Sequence, residues 1–206
     1  MRPKLKISNL TNLQDARSSA AVGFDLISFC LERGSNKKLS PEMIGNIANW
    51  LSGPEIILEM NVVSLGELSL IDKTFSWRYI TLPFSEWNDD LLNLSGAVIL
   101  RADETCNSEV IRSLVQQAGF REKELKFEIN LPHAEAAKNY ISVAEHIFLH
   151  FPDITQTLAC VQSEAILPFG FSLGEEAEEE PGMLNYQLLD EFLEIFSLHF
   201  PEPDSQ

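Results

Sequence analysis

Read as strands, several short runs of this chain place ionisable side chains two residues apart, and so on one face. Lys6 and Ser8 alternate within residues 5–9, and Glu59 and Asn61 within 55–61. Lys126, Glu128 and Asn130 share a face of 126–130, Arg101 ends 97–101, and His150 lies within 147–151. If these faces meet in one interior, Lys6, Glu59, Arg101, Glu128 and His150 form a polar core. One outcome is a ligand site in which Glu128 or His150 acts as acid or base. A second is a hydrogen-bonded ion network that fills the space, the condition on which charges tolerate burial. A shift of register would instead turn some of these groups to solvent.

Other chemistries lack their motifs. There is no Gly-x-Gly-x-x-Gly after a strand and no phosphate loop ending in Gly-Lys-Ser/Thr. No His-Glu-x-x-His helix and no Gly-x-Ser-x-Gly elbow occurs. His133, His146, His150 and His199 show no convincing metal-ligand spacing, so no metal site is expected from them. Cys30, Cys106 and Cys160 are odd in number and far apart, which suits reduced, buried thiols in a cytoplasmic protein.

The elements that must position these groups follow a rhythm. Strand-like runs fall at 5–9, 25–31, 55–61, 78–84, 97–101, 126–130, 147–151 and 169–173. Helical stretches fall between them at 13–22, 41–51, 65–73, 86–92, 108–118 and 134–146, with a last one at 186–196; 155–164 is ambiguous. Ser40 before Pro41 and Asn12 before Leu13 read as helix caps, and Gly23 and Gly119 as left-handed stops. Eight strands alternating with helices imply parallel βαβ units, either a compact eightfold barrel or a doubly wound open sheet. The chain of 206 residues is 45% hydrophobic and 22% charged; its length suits one large domain or two small ones, and a single domain spanning 1–206 is the expectation.

With 31 acidic against 15 basic residues, the net charge of −16 repels phosphate backbones and disfavours nucleic-acid binding. The longest apolar runs, such as 96–100, are strand-sized, so no membrane span is expected. The acidic run 175–180 reads most simply as a solvated loop. Trp50, Trp77 and Trp87 read as packing anchors, and the stripe Leu188, Leu189, Phe192, Leu193 and Phe196 as the docking face of the last helix. A monomer or a homodimer is compatible with that face.

Three stretches resemble phosphoribosylanthranilate isomerase. The opening Leu5-Lys6-Ile7-Ser8-Asn9-Leu10-Thr11, with Asp15-Ala16 after it, is similar to the family's first strand and helix start. Gly23-Phe24-Asp25-Leu26-Ile27-Ser28-Phe29 resembles its second strand, with Ser35–Glu42 matching the Ser-Pro-Arg-Tyr-Val-Ser-x-Glu segment that follows. Phe171-Ser172-Leu173-Gly174-Glu175-Glu176 is similar to the last strand's Val-Ser-Ser-Gly-Val-Glu, and Pro181-Gly182 and the helix through Leu189 and Phe192 keep the family's spacing. The likeness covers residues 4–48 and 168–196; between them only the βα rhythm matches. It implies a single (β/α)8 TIM barrel. It also implies an Amadori rearrangement of N-(5'-phosphoribosyl)anthranilate in tryptophan biosynthesis, without cofactor, on a small phosphorylated sugar-type ligand.

The same resemblance marks departures. Ser8 stands where the family has its general-base Cys, and a serine hydroxyl is a far weaker base than a thiolate. Asn9 replaces the adjacent Gly. Lys37 replaces the Arg expected to clamp the anthranilate carboxylate, keeping the charge but not the fork. The general-acid Asp has no clear counterpart; the position falls near Asn130 or His150. The Gly-Gly phosphate turn is missing, which leaves Ser172 to Gly174 to offer backbone N–H groups, beside an acidic run that repels phosphate. Lys6, Asn9, Lys37 and Arg101 are thus the candidate substrate-binding residues, Ser172 and Gly174 the phosphate-binding ones, and Ser8, His150 and Glu128 the catalytic ones. The expectation is a surviving scaffold with the isomerase activity weak or lost. The alternative is a barrel that serves as a binding, scaffold or regulatory protein.

Overall fold

A computed structural model describes residues 2–32, 34–62, 68, 71 and 73–201. Eight parallel strands close into a barrel in sequence order: β1 (Lys4–Ile7), β2 (Leu26–Cys30), β3 (Glu55–Glu59), β4 (Tyr79–Pro83), β5 (Ala97–Asp103), β6 (Leu125–Asn130), β7 (Ile147–His150) and β8 (Gly170–Leu173). Closure is made by β1 against β8, with Lys6 opposite Ser172 and Ile7 opposite Leu173. The open-sheet alternative is therefore excluded, and each expected strand is present to within two residues at either end.

The α-helices α1 (Leu13–Ala21), α2 (Pro41–Ala48), α3 (Ser108–Gly119), α4 (Ile154–Ser163) and α5 (Tyr186–His199) lie outside the strands. Each starts at a polar cap that accepts backbone N–H groups otherwise without partners: Asn12, Ser40, Asn107, Asp153 and Asn185 in turn. Asp153 settles the ambiguous segment as α4, whose Ile154, Cys160 and Val161 are buried. The stretches expected as helices at 86–92 and 134–146 are 3-10 instead, over Asp89–Asn93 and Ala134–His146, the latter kinked at Val143. Most of the stretch expected at 65–73 lies outside the described residues.

Gly23 takes a left-handed φ of 98°, as its place after α1 requires. Gly119 does not: it is the last residue of α3, and Glu122 supplies the left-handed turn instead. Trp50 is 70% exposed and anchors nothing, whereas Trp77 and Trp87 pack against the core.

Two apolar cores follow from alternation along the strands. Outward-facing residues such as Ile7, Phe29, Leu58, Leu100 and Phe127 pack against the helices. Phe192 and Phe196 of α5 join them and stack with ring centroids 5.8 Å apart. Inward-facing Leu26, Ile57, Tyr79, Ala97, Ile99 and Phe148 plug the barrel near the strands' starts. Above that plug the inward positions turn polar.

Candidate functional site

The polar layer is built from Lys6, Ser28, Glu59, Arg101 and Glu128. The Lys6 side chain is fully buried and reaches across the interior. Its Nζ lies 3.0 Å from Glu59 Oε1 and 2.5 Å from Glu128 Oε2. Ser28 Oγ donates to Glu59 Oε1 at 2.5 Å, and Arg101 Nη1 donates to Glu59 Oε2 at 3.3 Å. Arg101 Nη2 reaches Asn61 Oδ1 at 3.3 Å, and Asn61 Nδ2 in turn donates to Glu32. Two cations and two anions thus neutralise each other within hydrogen-bond reach, the arrangement that burial of charge demands.

Burial works to lower the pKa of Lys6, but the carboxylates of Glu128 and Glu59 overcome it and hold the ammonium above its usual range. For Glu59, burial pushes upward; Lys6, Arg101 and the Ser28 hydroxyl outweigh it and bring the carboxyl down to about 2. Of the two outcomes open for these inward charges, the interior geometry is that of an ion network. Glu128, a candidate acid or base, is 4% exposed and tied to Lys6.

The rim is assembled at the seam between β1 and β8. Ser8 Oγ and Ser172 Oγ are 3.3 Å apart. Asn9 takes a left-handed φ of 57°, and its backbone N–H donates to Ser28 Oγ at 2.8 Å. That conformation accounts for a Gly-like position held by Asn, the side chain that best tolerates it. His150 does not join the interior network. Its Nδ1 lies 3.1 Å from the backbone oxygen of Ser172, an oxygen that can only accept a hydrogen bond.

The acidic run is not a solvated loop. A 3-10 turn (Glu175–Ala177) leads into a two-stranded hairpin, β9 (Glu178–Glu180) and β10 (Met183–Leu184), with Ala177 fully buried and Leu184 nearly so. The hairpin is pinned to the loop after β1: Thr11 Oγ1 and Asn12 Nδ2 donate to the Gly182 oxygen at 3.2 and 3.4 Å. It also pairs Asn185 N–H with the Ala177 oxygen at 2.9 Å.

Its carboxylates take up the site's donors. Lys37 Nζ lies 2.7 Å from Glu178 Oε1 and 3.1 Å from Glu175 Oε1. Glu176 turns inward, its side chain only 6% exposed. Its Oε1 accepts the Gly174 N–H at 2.9 Å and lies 3.6 Å from His150 Nδ1. Burial raises the Glu176 pKa, His150 pulls the other way, and Glu128 adds to the rise. A Cβ placed on Gly174 would meet Glu176 Oε2 at 3.3 Å, His150 Cε1 at 3.6 Å and Ser8 Cβ at 3.9 Å, so these four residues share one small space.

The other half of the mouth is hollow. A cavity of about 470 Å3 is lined by Pro83, Phe84, Arg101, Asp103, Cys106 and Asn130 among others. A second, of about 400 Å3, is lined by Asp103, Glu104, Asn130, Leu131, Pro132, His150 and Pro152. Asp103 and Asn130 border both.

The structure thus brings Ser8, Ser172, Gly174 and His150 together, and Lys6, Glu128 and Arg101 into the neighbouring network. Lys37 is held at the rim by the hairpin. Sequence reasoning missed Glu175, Glu176 and Glu178, because a run of acids gives no sign of which one folds back. The buried Ala177 between them was the one available signal. Among the described residues, no group of three or more His, Cys, Asp or Glu could hold a metal ion, and no helix is long and apolar enough to cross a membrane.

No protein-family model matches the sequence, and no curated protein matches it. Solved structures do. A phosphoribosyl anthranilate isomerase from Thermotoga maritima superposes with a TM-score of 0.75 at 16% identity, covering 95% of this chain and 98% of that one. A phosphoribosyl anthranilate isomerase in complex with reduced 1-(o-carboxyphenylamino)-1-deoxyribulose 5-phosphate gives the same TM-score and coverages at 17% identity. A type I 3-dehydroquinate dehydratase from Clostridium difficile is less similar, at a TM-score of 0.60 and 13% identity over 96% of this chain and 93% of that one. The chain therefore has the fold of the phosphoribosylanthranilate isomerases, at the low identity of a divergent barrel.

Proposed function

We propose that this chain is a phosphoribosylanthranilate isomerase-like barrel in which the rearrangement of a phosphorylated ribosylamine is lost. One observation carries the reading. The groups that the resemblance reserves for the substrate's anions, Lys37 and the Gly174 N–H, already hold the chain's own Glu175, Glu178 and Glu176. An incoming phosphate or carboxylate meets carboxylates where it needs donors. The chemistry is reduced as well. Ser8 is hydrogen-bonded to another hydroxyl rather than to a base, and losing a general base alone costs about 10²–10⁴ in rate.

Complementation of an isomerase-deficient auxotroph tests this. Neither the wild-type gene nor its Ser8→Cys variant should support growth without tryptophan. Growth with the wild-type sequence would refute the reading.

The open half of the mouth favours a second role, binding of a different small ligand. His150 lines a cavity together with Asn130, Asp103 and Glu104. This surrounding suits a neutral or cationic molecule better than a phosphorylated sugar. Screening small amines and phosphosugars by the shift of the His150 ring resonances separates the two. A response to phosphosugars alone would end this second reading.

A further inference from the structure

The contacts of Glu176 are those of a bound ligand rather than of a surface acid. Its carboxylate is nearly sealed from solvent, accepts a main-chain N–H at 2.9 Å and lies 3.6 Å from an imidazole nitrogen. It is the residue that a Cβ on Gly174 would touch first. The turn that carries it and the hairpin that follows are secured independently, through Gly182 to Thr11 and Asn12 and through the buried Ala177. Lys37 steadies the flanking Glu175 and Glu178 and does not touch Glu176. The backbone therefore has no need of the Glu176 carboxylate to stay in place, and the seat beneath can be vacated by one side chain turning outward. Carboxylate is also a costly choice here: burial and the nearby Glu128 both disfavour its charge.

We propose that Glu176 is a built-in oxyanion ligand that blocks the mouth, and that removing its side chain exposes a seat for small carboxylates or phosphate on the Gly174 N–H beside His150. The proposal deepens the reading of a self-occupied site and rests on it. It makes the blockage local to one rotatable side chain, not to movement of the whole hairpin.

The test is a titration of the full chain with sodium acetate, and separately with inorganic phosphate, at constant ionic strength and pH 7.5. The readouts are the Gly174 amide and His150 ring resonances. Glu176→Ala should bind at least one of the two probes at least tenfold more tightly than wild type, with both resonances moving together. Acetate alone would mark a seat of carboxylate size; phosphate as well would mark a wider one, and either supports the proposal. Glu176→Gln keeps the shape without the charge and should fall between wild type and Glu176→Ala. It also serves as the folded comparison if the cavity left by alanine loosens the rim. Glu179→Ala, an exposed neighbour on β9, should behave as wild type. Equal binding by wild type and Glu176→Ala, or no binding by either substitution, overturns the proposal. The auxotroph experiment reports separately: growth with the wild-type gene defeats the functional reading, whereas a failed titration without growth defeats only the blocking role of Glu176.

Discussion

Lys6 inside the barrel and Lys37 at its rim each hold two carboxylates, but with different surroundings. Lys6 is sealed, and its partners Glu59 and Glu128 are 4% and 5% exposed in their side chains. Lys37 is 9% exposed, with Glu178 at 9% and Glu175 at 80%. The inner cluster joins β1, β3, β5 and β6, so it crosslinks the barrel across its axis. The outer one joins the loop before α2 to a hairpin and spans a surface. Charge placed in the pore ties four strands together and cannot be withdrawn singly, whereas charge at the rim ties a loop to a hairpin and can be altered at smaller cost to the fold.

The largest expected effect follows from breaking the inner cluster on one side only. Lys6→Met leaves Glu59 and Glu128 buried without their shared cation. Such a change costs about 3–5 kcal/mol, read as a lower urea midpoint at unchanged slope. Replacing Lys6, Glu59 and Glu128 together by apolar residues of similar volume should cost less than the single change. If the triple variant were the less stable, the cluster would be contributing more than mutual neutralisation, and the contrast with Lys37 would need another basis.

A smaller effect separates the two regions by pH. Glu59 has its folded pKa lowered from 4.5 to about 2, so it contributes stability above pH 4.5 that is lost as pH falls toward 2. Glu176 runs the other way. With its folded pKa raised by burial, its contribution is fully present below the usual carboxylate pKa and is lost as pH rises through the elevated value. Wild type minus Glu59→Gln should therefore shrink with acidification below pH 4.5. Wild type minus Glu176→Gln should grow more favourable to wild type over the range where Glu176 takes up its proton. Parallel pH profiles for the two differences would contradict the assignment of opposite environments.

The βα units were legible because their signals are local and repeated, caps at Asn12 and Ser40 and short strand-like runs between helices, whereas closure into a barrel rather than an open sheet was expected only from the resemblance of the chain's two ends to one family. The inner charges were legible from alternation within those runs, since Lys6, Glu59 and Glu128 lie on inward faces once the strands are set. His150 shares that alternation but reaches only the rim, because β7 ends there. The hairpin was not legible. Seven of the eight residues from Glu175 to Gly182 are acidic, proline or glycine with no period to read, and their order comes from distant partners, Lys37, Thr11 and Asn12, and from the turn's own Gly174. The 3-10 segment Ala134–His146 escaped for a related reason, since its apolar spacing suits a helix of either pitch.

The smallest effect belongs to Lys37 itself. Lys37→Ala removes both outer pairs, yet Glu175 is largely in water and Glu178 also donates order through its contact with the Gly182 N–H at 3.0 Å. The hairpin keeps its links to Thr11 and Asn12. Only the Glu175 pair is exposed, since Lys37 and Glu178 are each 9% exposed, so a stability loss of about 1–3 kcal/mol, smaller than that of Lys6→Met, is expected. The Glu175 pair is also open to screening, with a Debye length of about 10 Å at 0.1 M salt. Raising salt should therefore narrow the gap between wild type and Lys37→Ala while leaving that between wild type and Lys6→Met nearly unchanged. Guanidinium-free melts at two salt concentrations measure both gaps. A salt-insensitive Lys37 gap would place its cluster with the buried charges of the pore, and the division between a structural interior and an adjustable rim would fall.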